Sequence, residues 1–152
     1  MAALEEYLAR RGLWHRFVEK AETVHTRDAA AAAGLELARV TKNLVSVTAE
    51  GGYALLVIPG DRRVNLTAAA KALGTGSVRL VPFERAESIS GYPPGGTPTV
   101  GHRTPMRVVF DGCLLGYETF YCGGGARTRL VELKTLEVLE AAEAIVAEIC
   151  AA

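Results

Sequence analysis

The chain has 152 residues, 49% of them hydrophobic and 22% charged, with 17 basic and 17 acidic side chains. That is the size of one domain with a substantial core, and the apolar content excludes a disordered chain. No apolar run is long enough to span a bilayer, and zero formal net charge argues against a protein that wraps a long duplex. The charge is nevertheless uneven. Residues 132–152 carry five acids against Lys134 alone, which leaves 1–131 with 16 basic and 12 acidic side chains. A protein touching only the end of an RNA needs few phosphate contacts, so this bias is compatible with one.

The opening segment, Met1-Ala-Ala-Leu-Glu-Glu-Tyr-Leu8, is acidic and helical, without the basic-then-apolar order of a secretion signal. The three cysteines (Cys113, Cys122, Cys150) are scattered and form no Cys-x-x-Cys pair, so neither a disulfide framework, a zinc site nor a redox motif is expected. A cytoplasmic protein without metal or cofactor is the expectation.

In chain order, Leu4–Arg11 and Leu13–Lys20 read as two helical pieces parted by Gly12. Thr26-Arg-Asp supplies an N-cap and a first-turn acid for a short alanine helix that ends at Gly34. Leu37–Thr48 and Tyr53–Pro59 are rich in β-branched residues with Glu50-Gly-Gly between them, which predicts a hairpin. Asn65 caps a helix that runs to Leu73 and closes at Gly74. A short strand at 78–81 and a helix opened by Pro82 and Glu84 precede a glycine- and proline-rich loop over 91–101. Strands are expected at 107–110, 117–122 and 127–133. Thr135 caps a terminal helical region with Val138, Ala142, Ile145 and Ile149 on one face. Strands and helices lack the regular alternation of a nucleotide-binding sheet, so the reading is α+β: a mixed, strongly curved sheet with helices around it.

Chemistry concentrates in a few places. The loop Ser90-Gly-Tyr-Pro-Pro-Gly-Gly-Thr-Pro-Thr-Val-Gly-His102 is both bare and stiff. Such a loop either presents backbone N–H groups to a ligand or simply connects two elements. Lys42 shares the phase of Val40 and Leu44 on a strand, where an unpaired ammonium is expensive to bury. Its stem either snorkels to solvent or brings the charge to a phosphate or a carbonyl oxygen. Gly123-Gly-Gly125 is a turn, a bulge, or room left for a substrate; Asp61-Arg-Arg63 is an exposed turn with two arginines available to phosphates. No Gly-x-Ser-x-Gly elbow, His-Glu-x-x-His or paired-carboxylate pattern is present.

Taken in order, Thr26 ahead of the alanine helix, Val40-Thr-Lys-Asn-Leu44, Val57-Ile-Pro-Gly-Asp-Arg-Arg-Val-Asn65, Ala70-Lys-Ala-Leu-Gly74, Gly91-Tyr-Pro-Pro-Gly-Gly96, Val109-Phe-Asp111 and Tyr121-Cys-Gly-Gly-Gly125 resemble the YbaK/EbsC family. The family includes the editing domain of bacterial prolyl-tRNA synthetases and its free-standing ProX-type relatives. The resemblance covers residues 22–150 of a single domain spanning 1–152, with 1–20 as a helical N-terminal extension, and implies a barrel-like sheet. It also implies a trans-editing hydrolase that removes a small amino acid (alanine, serine or cysteine) from mischarged tRNA for proline.

By the same resemblance Lys42 is the functional lysine, engaging the aminoacyl-adenosine or its phosphate. Asn43, Gly95, Gly96, Thr97, Pro98, Thr99, Gly101, Gly123 and Gly124 bind substrate, the loop amides near the ester carbonyl. The tRNA acceptor end is the implied partner, together with an aminoacyl-tRNA synthetase, and either water aided by the terminal ribose hydroxyl or the substrate's own side chain attacks, rather than a protein nucleophile. Two departures stand out: Thr99 occupies the position of the family proline, and Gly123 and Leu130 stand where some relatives carry polar pocket residues. The alternative is a non-catalytic tRNA- or synthetase-binding module of the same fold.

Overall fold

The computed structural model describes residues 3–152. Helix α1 (Ala3–Arg11) ends at Gly12, whose φ of 64° is the left-handed conformation that glycine adopts freely. Strand β1 (His15–Glu19) follows, then α2 (Thr26–Ala33), β2 (Thr41–Thr48), β3 (Tyr53–Pro59), α3 (Leu66–Leu73), β4 (Val78–Leu80) and α4 (Phe83–Ser90). After the glycine-proline loop come β5 (Arg107–Asp111), β6 (Thr119–Ala126), β7 (Arg129–Lys134), α5 (Thr135–Ala141) and β8 (Ile145–Ala147).

The strands form two open sheets. One is antiparallel, in the order β1-β7-β6; the other is mixed, in the order β4-β2-β3-β5-β8, with β3/β5 and β5/β8 parallel. The α+β class therefore holds, whereas the expected barrel-like, strongly curved single sheet does not: neither sheet closes. The two meet where Val40, just ahead of β2, pairs with Tyr121 of β6.

Strand β3 explains its own sequence. Leu55 and Val57 point into a core shared with Leu4, Leu8, Phe110, Phe120 and Leu133, while Ala54, Leu56 and Ile58 face α3 and Ile149. Burial on both faces demands a near-continuous apolar run, and the segment Ala54–Ile58 supplies it. Phe110 and Phe120 meet edge to face at 5.4 Å and join one sheet to the other.

The hairpin β2/β3, the Asn65 cap (Oδ1 accepts from Ala68 N–H at 3.0 Å) and the left-handed Gly34 and Gly74 match the sequence reading. Four local expectations fail. Residues 15–19 form a strand, not helix, because β1 pairs along β7 from His15/Leu133 to Glu19/Arg129. The helical extension is thus half strand, and Leu4 and Leu8 of α1 lie fully buried in the main core. The terminal helix stops at Ala141. Glu143 turns left-handed (φ 48°), and Ile145–Ala147 joins β5 as an edge strand, so Val138 and Ile149 do not share a helical face. Thr26 and Thr135 lie inside their helices; the cap positions are His25 and Lys134, neither with a side-chain cap.

Candidate active site

The N-terminal half of β2 forms one wall of a cavity of about 470 Å³. Lys42 and Asn43 stand on that wall. Pro94, Gly95 and Thr97 of the glycine-proline loop also line it, with Gly123 of β6 and Leu130 of β7, Val24–Arg27 and Ala29 around the start of α2, and Leu80, Val81, Phe83 and Ala86. Lys42 is half-buried, and its ammonium donates to the Arg62 carbonyl at 2.7 Å. Both alternatives for its side chain are thereby narrowed: the stem is not free in solvent, and the charge is held at the cavity by the turn after β3.

The loop is clamped from two sides, and its glycines are where the clamps close. A Cβ on Gly95 would lie 2.8 Å from Val24 Cα; one on Gly96 would lie 2.9 Å from the Ala126 backbone; one on Gly123 would lie 2.5 Å from Thr97 N and O. Real Cβ atoms do not approach backbone so closely, so the close seat of the loop against β6 depends on hydrogen at these positions. Gly125 N–H donates to Gly96 O at 2.9 Å and Arg127 Nε to Pro94 O at 2.7 Å. Lys20 in turn ties Thr23 Oγ1 (2.7 Å) to Arg127 O (2.6 Å).

Asn43 is the hinge between β2 and the loop. Its Nδ2 donates to Thr97 O at 2.8 Å and to Thr99 Oγ1 at 3.2 Å, and its Oδ1 accepts from Thr41 Oγ1 at 2.9 Å. Thr99 is fully buried, and its hydroxyl supplies an acceptor that a proline there could not. Cys122 lies sealed behind this network; burial pushes its thiol up to about 11 against the pull of Thr99 and Asn43, so it is no thiolate nucleophile. His102 is a brace: its Nε2 bonds Pro98 O at 2.7 Å, and burial holds its pKa below the ordinary imidazole value despite that bond.

Of the residues singled out in the sequence, Lys42, Asn43, Gly95, Thr97 and Gly123 thus come together on the cavity. Gly96, Pro98, Thr99, Gly101 and Gly124 do not line it. Gly96 bears on β6 and Thr99 on Asn43; the Pro98 and Gly101 carbonyls accept from His102 and from Tyr92 Oη (2.6 Å), and the Gly124 carbonyl from Arg129 Nε (2.7 Å). The triple glycine is not a turn between strands. It lies within β6, with a register shift between Gly123 and Ala126. Lys20 and Arg127 escape sequence reasoning because a side chain bonding a distant carbonyl leaves no pattern in sequence, and Thr41 because its bond to Asn43 Oδ1 gains meaning only once Asn43 is seen to hold the loop. Phe83 and Leu80 left a faint one, two large apolar residues flanking Val81-Pro82, and both are exposed at 55% and 40%.

Among the described residues no helix is long and apolar enough to cross a membrane, and no group of three or more His, Cys, Asp or Glu is placed to hold a metal ion.

Residues 19–141 match the profile of the aminoacyl-tRNA editing domain. The chain is 26% identical over 135 residues to EbsC of Enterococcus faecalis, described as a candidate Cys-tRNA(Pro)/Cys-tRNA(Cys) deacylase; the match covers 89% of this chain and 82% of EbsC. It is 32% identical over 112 residues to a proline–tRNA ligase of Methylobacillus flagellatus, covering 71% of this chain but only 20% of the ligase. A crystal structure described as that of a candidate trans-editing enzyme for prolyl tRNA synthetase superposes with a TM-score of 0.86 at 30% identity, covering 99% of this chain and 96% of that one. The cavity, its lysine and its glycine-braced loop are therefore those of a chain that belongs to the aminoacyl-tRNA editing domain family.

Proposed function

We propose that the chain hydrolyses the ester between a small amino acid (alanine, serine or cysteine) and the 3′-terminal adenosine of mischarged tRNA for proline. The observation that carries this reading is that one half-buried lysine and a braced glycine loop line the same cavity, with no serine or cysteine on its wall. The loop amide of Gly96 is spent on Pro93 O (2.8 Å), whereas those of Gly95 and Thr97 have no acceptor among the described residues. Unspent amides on two residues that line the cavity suit the oxyanion that forms when a carbonyl is attacked.

In this scheme water adds to the ester carbonyl carbon, and charge develops on the carbonyl oxygen beside the Gly95 and Thr97 amides. The bond to the ribose oxygen then breaks, that oxygen takes up the proton water has lost, and free amino acid and uncharged tRNA leave. Lys42 anchors the terminal phosphate or the developing negative charge. Arg27 brings a second cation to the same wall. The adenine ring lies against Phe83 and Leu80. Such a lysine positions and stabilises, so nothing in the scheme asks it to take a proton.

Selection follows from the walls. Thr97, the Gly95 and Gly123 backbones, Ala29, Val40 and Leu130 offer size exclusion and little to recognise a functional group. Lys42→Ala is the test. Alanyl-tRNA deacylation should fall about a hundredfold or more with the melting temperature preserved. A well-folded Lys42→Ala protein with undiminished turnover contradicts the assignment, and tight tRNA binding without turnover in the natural protein favours the binding-module alternative.

A further inference from the structure

A second depression adjoins the first, and its walls carry a different chemistry. Arg39 lines it and Val40 lines the cavity, so consecutive residues divide the two. The depression encloses about 510 Å³ between Trp14, Arg39, Tyr117, Thr119 and Lys134. Its aromatic rings and cations are interleaved. The Arg39 guanidinium lies 5.5 Å from the Tyr117 ring centre and 5.3 Å from that of Tyr121; Trp14 has Arg16 at 5.7 Å and Lys134 at 5.6 Å.

Structural duties do not exhaust these groups. Arg39 Nη2 bonds Thr119 Oγ1 (2.6 Å) and Thr119 O (3.1 Å), but its buried Nε has no partner among the described residues. Glu132, the inner carboxylate, is committed to Arg16 at 2.6 Å and to Thr119 Oγ1 at 2.6 Å, and stands 4.0 Å from Arg39. Glu137 accepts the Trp14 backbone N–H at 2.9 Å, and Glu118 lies on the rim. Lys134 has no carboxylate within ion-pair distance among the described residues. Trp14 keeps 37% of its surface exposed, so part of its ring is open to a stacking partner.

We infer that this groove holds one nucleotide of a single-stranded RNA 3′ end, its base stacked on Trp14 and its phosphate held by Arg39 and Lys134. Aromatic faces take any base and flanking cations take the backbone, which is how proteins grip unpaired nucleotides without reading sequence. An acidic peptide would use the cations but leave the exposed rings without a role. The inference rests on the proposed function only in taking the RNA to be the strand whose terminal adenosine enters the Lys42 cavity.

Trp14 is the only tryptophan in the sequence, so its fluorescence reports on this groove. Titration with the unacylated trinucleotide CCA should quench it, with an affinity that weakens as salt rises. Lys134→Ala and, separately, Arg39→Ala should each raise the dissociation constant about tenfold. Because Arg39 also braces Thr119, Lys134→Ala is the variant that keeps the test fair if Arg39→Ala fails to fold. On full-length mischarged tRNA, Trp14→Ala should raise KM with kcat retained, and should leave hydrolysis of a minimal aminoacyl-adenosine ester unchanged. Absence of quenching by CCA, equal quenching in Lys134→Ala, or quenching by an acidic peptide but not by CCA overturns the inference. Quenching by CCA in a protein that deacylates nothing keeps the groove and removes the hydrolase reading; deacylation without quenching does the reverse.

Discussion

Adding one methyl group at Gly123 puts the loop's seat to the test. The Cβ of Gly123→Ala would stand 2.5 Å from both Thr97 N and Thr97 O, where ordinary contact begins near 3.4 Å. Both atoms are backbone, so no rotamer change relieves the clash, and the loop must retreat by about 1 Å. That retreat stretches the 2.8 Å bond from Asn43 Nδ2 to Thr97 O and the 2.9 Å bond from Gly125 N to Gly96 O. Overpacking of this kind costs about 1–3 kcal/mol, which for a domain of this size lowers Tm by roughly 2–12 °C. Activity should suffer more than stability, because a displacement of about 1 Å at reacting groups costs on the order of a hundredfold in rate. Thermal denaturation and single-turnover deacylation of alanyl-tRNA read the two effects separately. Gly76→Ala is the control, since a Cβ there meets nothing within 4 Å. A Gly123→Ala protein with natural Tm and natural kcat/KM would refute the claim that β6 seats the loop.

Asn43→Ala should destabilise by about 1–3 kcal/mol, since it strands the Thr97 carbonyl and the Thr41 and Thr99 hydroxyls; denaturant titration measures it, and a change within error would contradict the hinge role. His102 has a folded-state pKa depressed by burial, so the unfolded chain binds its proton first as pH falls. The stability this gives is complete above the unfolded value near 6.5 and declines below it, towards the folded pKa. Tm plotted between pH 7.5 and 5 should therefore fall less steeply in His102→Gln than in the natural protein, whereas parallel curves would dismiss the brace. Deacylation should survive EDTA, because no Cys, His or carboxylate cluster among the described residues is placed to bind a metal; loss of activity restored by zinc would show otherwise.

What the sequence discloses depends on how local the cause is. The β2/β3 hairpin, the Asn65 cap and the two left-handed glycines are set by residues a few positions apart, and all were legible. Strands β1 and β8 were not. Each is an edge strand recruited by a distant partner, His15 by Leu133 and Val146 by Phe110, and short segments with weak alternation read equally well as helix. Lys42 was legible because a cation on an apolar strand is out of place; the loop was legible from its glycines and prolines. Which glycines line the cavity was not, since what separates Gly95 from Gly96 is contact with Val24 or with Ala126, both distant in the chain. The groove at Trp14 was equally hidden, being assembled from the residue ahead of β1, the turn before β2, the segment leading into β6 and the end of β7.

We propose that a cavity walled by Thr97, Leu130 and loop backbone hydrolyses small aminoacyl esters and excludes the correct one by size. One tRNA for proline, charged in separate preparations with alanine and with proline and mixed with the natural protein, tests it most directly. Alanine should be released at least about tenfold faster than proline, since each methylene excluded by such a wall is worth roughly 1–3 kcal/mol. Proline released as fast as alanine would contradict the account.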